Sequence, residues 1–364
     1  MGEKIKATQN ILEEFTQSAI WDHTDDFEKL IKESKKQKDK PYALNIMEKL
    51  NKKVIGQEEA KKALIVIARD IMMRRAGLGI PKTNILLMGP SGCGKTYLIQ
   101  NICEMTGVPF AVVNMPAVTG AGYRGEDIES GLERLIKNAN GDLWEAENGI
   151  LFLDEFDKLL IKDENSASSA TVQAQLLKMI EGEEIDLNVH VRSTDKDKPV
   201  INTSNITFIF AGAFTDFEVT EDNIIGFGLN NKDEKEKDQY EELIKMGFSR
   251  ELCGRINRVV KMNSLKEEEL IRVSDDIVKE YESVFAYDGV QLSVDKGAKK
   301  EVAVEALKKN LGARGVEQIF KKMFDEARYD IATNDRITSC QITKKSIQTG
   351  KAILSEKEIK ETDR

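Results

Sequence analysis

Residues 84–105 read NILLMGPSGCGKTYLIQNICEM, and this stretch decides the fold of the chain. A short apolar strand (84–88) runs into the glycine-rich loop GPSGCGKT (89–96), and a helix with apolar residues on one face follows. The loop has the spacing G-x-x-x-x-G-K-T, in which glycines let the backbone approach a phosphate closely. Its N–H groups and the helix N-terminus then face the anion. The stretch therefore predicts a strand–loop–helix unit that binds a nucleoside triphosphate.

Two side chains of this loop carry the chemistry that a triphosphate requires. Lys95 is expected to reach the β- and γ-phosphates as a point charge, and Thr96 offers a hydroxyl to Mg²⁺. The expected cofactors are therefore ATP and Mg²⁺. The nucleotide-binding residues predicted in the loop are Gly89, Pro90, Ser91, Gly92, Cys93, Gly94, Lys95, Thr96 and Tyr97.

The segment ILFLDEFD (150–157) supplies a second half of the same site. Four apolar residues fill a buried strand, and two carboxylates follow at its carboxyl end, where the ligands of open α/β sheets lie. Asp154 is expected to hold the Mg²⁺ ion, and Glu155 to orient and polarise the attacking water. Asp157 is expected to be structural. Both halves together predict an enzyme that hydrolyses ATP.

Other short apolar runs repeat the pattern of the first strand. The segments at 110–115, 149–154 and 206–212 are rich in Ile, Leu, Val and Phe and are bounded by Gly, Asn or Asp. Such runs are typical of parallel strands that are buried on both faces. Helical stretches at 96–105 and 172–182 alternate with them, which predicts an α/β fold with a parallel sheet flanked by helices.

The pattern divides the chain into four parts. We expect residues 1–40 to form a helical arm with a charged linker. The arm is either a solvated helix or a helix that binds a partner. We expect residues 41–262 to form the large α/β ATPase domain. Residues 263–350 predict a small, mainly helical domain with helices at 267–285 and 298–309 and one edge strand at 337–343. Residues 351–364 predict a polar C-terminal tail.

Composition excludes several classes of protein. The 54 Lys and Arg residues against 63 Asp and Glu residues give a net charge of −9, which does not favour non-specific nucleic-acid binding. No apolar run approaches the ~18 residues of a membrane span, and the first residues contain no hydrophobic signal core. Four scattered cysteines and two histidines predict no zinc site and favour the reducing cytoplasm.

Several separated motifs resemble the ClpX type of AAA+ unfoldase, of the Clp/HslU ATPase family. They are the second acid after Asp154 and the segments VIGQEEAKKAL (54–64), ELCGRINRVV (251–260) and GARG (312–315). The resemblance implies an AAA+ P-loop NTPase large domain followed by a small helical domain. It also implies that Val54 and Ile55 line the adenine base, that Arg314 reaches the nucleotide, and that Arg255 contacts the γ-phosphate of a neighbouring subunit. Residues 1–40 lack the cysteines of the zinc-binding domain that usually precedes this ATPase.

The segment AGYRGEDIES (121–130) resembles the first pore loop of that family. An aromatic residue between small ones can grip an extended polypeptide regardless of its sequence. The resemblance therefore implies that the substrate pore is lined by Tyr123, Arg124 and Gly125. Arg124 replaces the usual Val, which makes the predicted pore more cationic.

The segment NIIGFGLN (223–230) is an apolar tip within a charged stretch. Such a tip either folds back onto its own domain or fits the pocket of a partner. In the ClpX family an Ile-Gly-Phe tripeptide of this loop docks on the ClpP peptidase. The matching residues here are Ile225, Gly226 and Phe227.

The resemblance implies an ATP-dependent unfoldase, a homo-hexamer that threads protein substrates through a central pore and delivers them to a ClpP-type peptidase. Two alternatives stay open from the sequence. One is a stand-alone protein remodeller without a peptidase, and the other is a scaffold that assembles on ATP without turning it over. Action on DNA is disfavoured by the net charge and by the pore tyrosine, and no membrane or nucleic-acid partner is expected.

Overall fold

The computed structural model describes residues 42–118, 128–160, 166–187, 200–214 and 240–357. The predicted arm at 1–40 lies outside these residues. Among the helices of the described ranges, none has the length and apolar character needed to cross a membrane.

The first part of the chain alternates helices with strands, and the second part is mainly helical. The helices of the large domain are α1 (Tyr42–Lys53), α2 (Glu58–Arg75), α3 (Lys95–Thr106), α4 (Glu129–Asn138), α5 (Leu143–Glu147), α6 (Phe156–Leu159), α7 (Ser166–Glu181) and α8 (Arg250–Cys253). Its strands are β1 (Ile85–Met88), β2 (Phe110–Asn114), β3 (Ile150–Asp154), β4 (Glu184–Asp186), β5 (Val200–Asn202), β6 (Thr207–Gly212) and β7 (Arg258–Lys261). The small domain contains α9 (Glu267–Tyr287), β8 (Gln291–Val294), α10 (Lys296–Lys308), α11 (Gly312–Thr333), β9 (Ile337–Ile342), α12 (Lys344–Thr349) and β10 (Ile353–Glu356).

Within the described ranges, the central sheet has five strands in the order β2-β3-β6-β1-β7. All of its neighbouring strands are parallel. In this register Leu86 of β1 lies between Phe210 of β6 and Val259 of β7. The strand that leads into the glycine-rich loop is therefore held from both sides, and the carboxyl ends of all these strands meet at one edge.

Both faces of this sheet are covered, as the continuous apolar runs predict. Leu86 and Met88 pack into a core with α4 to α8, whereas Ile85 and Leu87 pack on the opposite face with α1, α2 and α3. Because successive residues of a strand point to opposite faces, a strand buried on both faces must be apolar throughout. The predicted α/β fold with a parallel sheet flanked by helices and a helical small domain is confirmed.

The sequence pattern does not reveal β7, although this strand forms one edge of the central sheet. It has only two apolar residues between Arg258 and Lys261, because an edge strand needs less apolar surface than a central one. Its register opposite β1 comes from pairing over a long sequence separation, which a local pattern does not contain.

The small domain differs from its predicted form in its strands. The strand predicted at the edge (337–343) is β9, and it lies in the middle, parallel to β8 and antiparallel to β10. Cys340 of β9 is fully buried and lies opposite Leu292 on one side and Leu354 on the other. Strand β10 falls in the segment 351–364 that was expected to be a polar tail. Because the outer face of β10 is polar, the sequence pattern does not reveal that its side chain Leu354 packs on the small-domain core.

This arrangement predicts a difference between two neighbouring side chains of β10. Leu354→Asp places a carboxylate against the small-domain core and is expected to lower the free energy of unfolding by roughly 2 kcal/mol. Ile353→Asp is the matched control, because Ile353 is 48% exposed, and its expected cost is within about 0.5 kcal/mol. Urea unfolding curves measure both, and equal costs would contradict the observed pairing of β10.

Candidate functional site

A cleft of about 610 Å³ lies between the carboxyl edge of the central sheet and the small domain. The glycine-rich loop forms its floor, and Asp154 and Glu155 stand at the end of β3 beside it. The small domain closes the other side with Leu265, Ile277 and Arg314. The cleft therefore brings together the predicted residues at 54–55, 91–97, 154–155 and 314, whereas Gly89 and Pro90 precede its lining.

The loop wraps around the ammonium group of Lys95. The Nζ atom donates hydrogen bonds to the carbonyl oxygens of Gly89 (2.6 Å) and Pro90 (3.2 Å), and it lies 4.0 Å from Sγ of Cys93. Burial raises the pKa of the Cys93 thiol, so this side chain stays neutral at physiological pH. Lys95 thus places a positive charge at the N-terminus of α3, where a phosphate binds.

Oxygen atoms that suit Mg²⁺ meet at the end of β3. The Thr96 hydroxyl donates to Oδ2 of Asp154 over 2.9 Å, and the backbone N–H of Glu155 donates to Oδ1 of the same carboxylate over 2.9 Å. A hydroxyl and a carboxylate are the hard oxygen ligands that Mg²⁺ takes beside phosphate oxygens. This pair of residues therefore fits the ion that ATP chemistry requires. Within the described residues, no group of three or more His, Cys, Asp or Glu side chains could hold a metal by itself.

Glu155 directly precedes α6 as its N-cap and has an unusual backbone conformation. Its φ of 55° lies in the left-handed region, which is uncommon for a residue other than glycine and often marks a functional position. The side chain is exposed to the cleft, whereas the following Phe156 is fully buried between Phe210 and Phe248. The buried ring fixes the turn, and the turn directs the carboxylate toward the cleft.

Asp157 was expected to be structural, and it lines the cleft as well. It lies close to the end of β6, because a Cβ on Gly212 would come within 2.5 Å of its Oδ1 atom. Lys158 pairs with this carboxylate at 3.8 Å.

The segment predicted to line the base lies at the junction of the two domains. Val54 and Ile55 line the cleft, and Val54 is buried. Gln57 next to them exchanges two hydrogen bonds with the backbone of Asn263: its Nε2 donates to the carbonyl over 2.8 Å, and its Oε1 accepts from the N–H over 3.1 Å. This amide therefore ties the base segment to the start of the small domain.

Apart from Arg314, sequence reasoning missed the small-domain side of this pocket. Leu265, Val273 and Ile277 supply apolar surface to the cleft, and Glu317 lies one helical turn beyond Arg314. These residues belong to ordinary amphipathic helices or their flanks, so no local signal distinguishes them from core residues. Only the packing of the two domains reveals them.

The glycine-rich loop and the start of α11 touch directly. The backbone N–H of Ala313 donates to the carbonyl of Gly92 over 3.1 Å, and Nη1 of Arg314 lies 3.4 Å from Oγ of Ser91. Gly92 and Gly312 have φ of 74° and 55°, and a Cβ on Gly92 would lie 2.1 Å from the carbonyl oxygen of Leu311. Two glycines thus allow two backbones to meet without side chains between them.

Arg255 is not in this cleft. It lies in the turn after α8, at the amino-terminal edge of the central sheet, and its half-exposed side chain forms an ion pair with Glu181. Other cations lie at the same edge. Burial, and to a smaller extent the nearby charges of Arg74 and Arg255, lower the pKa of Lys82 to about 8. This edge therefore carries several cations beside the carboxylate of Glu181.

The remaining predicted site residues lie outside the described ranges. They are the pore residues Tyr123, Arg124 and Gly125 and the docking residues Ile225, Gly226 and Phe227.

Comparison with known proteins gives a consistent family. Residues 80–259 match the model described as AAA domain (Cdc48 subfamily), and residues 265–334 match the C-terminal, D2-small domain, of ClpB protein. The chain is 38% identical over 320 residues to the ATP-dependent Clp protease ATP-binding subunit ClpX of Treponema denticola, an alignment that covers 80% of this chain and 77% of the relative. The ClpX subunits of Borrelia duttonii and Borrelia recurrentis are each 35% identical over 329 residues, covering 82% of this chain and 76% of the relative.

The contact between the two glycines leads to a prediction. A Cβ on Gly312 would lie 2.7 Å from the carbonyl oxygen of Gly92 and push the loop and the small domain apart. Gly312→Ala is therefore expected to weaken the binding of a fluorescent ADP analogue about tenfold or more, which corresponds to about 1.4 kcal/mol.

Gly107→Ala is the control, because Gly107 has a similar φ of 68° but open space around its Cβ position. It is expected to cost about 1 kcal/mol of stability through backbone strain and to leave nucleotide affinity within about twofold. Equal affinities of the two variants would show that the contact between the loop and α11 does not support the site.

Proposed function

Because the chain belongs to the ClpX family of AAA+ ATPases, we propose that it is a protein unfoldase that hydrolyses ATP as a ring of identical subunits, most simply a homo-hexamer. The observation that carries this proposal is the cleft in which Lys95, the Thr96–Asp154 pair and Glu155 face Arg314 of the small domain. A triphosphate in this cleft contacts both domains at once. Its cleavage therefore changes how the two domains are held together.

Each residue of the cleft has a role that follows from its chemistry. Lys95 binds the β- and γ-phosphates, while Thr96 and Asp154 hold Mg²⁺. The ion, when bound, neutralises phosphate charge in the transition state. Glu155 orients the attacking water and accepts its proton, and Arg314 binds the phosphates from the small domain. Val54 and Ile55 pack against the adenine base. Tyr97 lies beside the loop at the start of α3 and faces the same cleft.

Arg255 is proposed to complete the site of the neighbouring subunit. It lies at the amino-terminal edge of the sheet, whereas the glycine-rich loop lies at the carboxyl edge, and β1 between them spans four residues, about 13 Å. Its own cleft is therefore out of reach, and its side chain is half exposed. Arg74 and Lys82 lie near it and add positive charge beside the Arg255–Glu181 pair. An arginine supplied in trans is worth roughly 10³–10⁵ in hydrolysis rate.

The work of the ring is proposed to be the threading of polypeptide. Tyr123 would grip the chain, with Arg124 and Gly125 shaping the pore around it. The relatives are named as ATP-binding subunits of an ATP-dependent Clp protease, which supports delivery of the unfolded chain to a ClpP-type peptidase. Ile225, Gly226 and Phe227 would then dock on that peptidase.

The catalytic assignment predicts a separation of binding from turnover. Glu155→Gln keeps the shape of the side chain but removes the base, so the hydrolysis rate is expected to fall at least about 100-fold while ATP affinity is retained. Glu305→Gln is the control, because Glu305 pairs with Lys309 on an exposed helix face of the small domain. Phosphate release and equilibrium binding of labelled ATP measure the two effects. Unchanged turnover in Glu155→Gln would refute the role of Glu155.

The threading and docking assignments predict two different losses. With ATP, a tagged fluorescent protein and a ClpP-type peptidase, Tyr123→Ala is expected to keep ATP turnover but lose unfolding, seen as retained fluorescence. Phe227→Ala is expected to keep unfolding but lose peptide release. Full unfolding by Tyr123→Ala would rule out the grip. Peptide release that is independent of Phe227 would rule out the docking loop and favour a stand-alone remodeller.

A further inference from the structure

A buried asparagine clamps the turn that carries Arg255. Asn84 directly precedes β1, and its side chain is only 3% exposed. Its Oδ1 atom accepts from the backbone N–H of Phe208 over 3.0 Å, and its Nδ2 atom donates to the carbonyl oxygen of Arg255 over 3.1 Å. One amide thus holds the start of β6 and the Arg255 turn at the same time.

The backbone of Asn84 also forms hydrogen bonds with the same turn. Its N–H donates to Oδ1 of Asn257 over 2.7 Å, and the N–H of Asn257 donates to the carbonyl oxygen of Asn84 over 2.9 Å. Three hydrogen bonds therefore join Asn84 to the segment 255–257.

The guanidinium of Arg255 is held much less firmly than its backbone. Its ion pair with Glu181 involves two half-exposed side chains, and exposed pairs contribute little to positioning. The placement of the guanidinium toward a partner therefore depends on where the backbone of residue 255 is fixed. The clamp at Asn84 provides that fixed point.

Strand β1 connects this clamp to the chain's own nucleotide loop. Its four residues are buried at 0–3% exposure and run without a break from Asn84 to Gly89. Because β1 is buried and paired on both sides, we expect a displacement at Gly89 to reach the turn at Arg255 through Asn84.

We propose that Asn84 is a positioning residue for hydrolysis in trans: it fixes Arg255 for the nucleotide of the neighbouring subunit and links that position to its own phosphate loop. This inference rests on the proposed ring with Arg255 acting between subunits. Asn84 does not touch the substrate. Its effect is on placement, and a displacement of about 1 Å in such a group can cost about 100-fold in rate.

The first test compares two buried asparagines. Asn84→Ala is expected to lower kcat for ATP hydrolysis about 10- to 100-fold. It is expected to leave KM within about threefold, because the nucleotide cleft of the same subunit is intact. Asn148→Ala is the matched control: Asn148 is 4% exposed, and its Nδ2 atom donates to the carbonyl oxygen of Trp144, four residues away. It is expected to leave kcat within about twofold. Equal losses of kcat in both variants would overturn the proposal.

The decisive test mixes two kinds of subunit in one ring. Glu155→Gln subunits are slow in their own sites but carry an intact Asn84 and Arg255. Added in excess to Asn84→Ala subunits, they are expected to raise hydrolysis per Asn84→Ala subunit about tenfold, because they present a correctly placed Arg255. Activity that stays low would show that Asn84 acts within its own site and would overturn the inference.

A parallel mixture separates this inference from the proposed function. Arg255→Ala subunits mixed with Glu155→Gln subunits are also expected to regain activity. Rescue of Arg255→Ala without rescue of Asn84→Ala overturns only the role of Asn84, whereas rescue of neither overturns the shared site and the inference with it. Asn84→Asp is isosteric, keeps the acceptor for Phe208 and removes the donor to Arg255. It is expected to be rescued in the same way, and it gives the answer if Asn84→Ala does not fold.

Discussion

The common direction of the strands in the central sheet is the constraint from which both halves of the site follow. Parallel pairing of β1 with β6 and β7 collects the glycine-rich loop, Asp154 and Glu155 at the carboxyl edge. The same pairing places Asn84 and the Arg255 turn at the amino-terminal edge. One chain therefore carries a site that binds and cleaves a triphosphate. About one strand length away it carries the cation Arg255, which lies outside that site. In the proposed ring, this arrangement lets Arg255 of one subunit serve the cleft of its neighbour.

In the proposed unfoldase, the contact between the two domains gives ATP hydrolysis a mechanical effect. The loop that surrounds Lys95 meets the first turn of α11 through Gly92 and Gly312, and Gln57 ties the base segment to Asn263. An occupant of the cleft thus lies between two bodies with separate hydrophobic cores. Loss of its terminal phosphate changes the contacts on both sides, which is how a small chemical step can become a movement of domains.

The parts of the fold that depend on local pattern could be predicted from the sequence. Strands β1, β2, β3 and β6 are continuous apolar runs, and the loop at 89–96 has its characteristic spacing. Strands β7, β8 and β10 could not be predicted, because short strands with one apolar face give almost no periodic signal. The proposed role of Asn84 could not be predicted from the sequence for another reason. Its partner Asn257 lies 173 residues away, so their pairing exists only in the folded chain. The wall formed by Leu265 and Ile277 likewise depends on how the domains pack.

In the proposed ring, one chain alone lacks part of its catalytic site. The most direct measurement is the specific activity of ATP hydrolysis across a wide range of protein concentration at saturating ATP. The account predicts that activity per chain falls steeply on dilution and reaches a plateau at high concentration, because Arg255 must come from a neighbour. A specific activity that stays constant down to concentrations at which the chain is a monomer would contradict it.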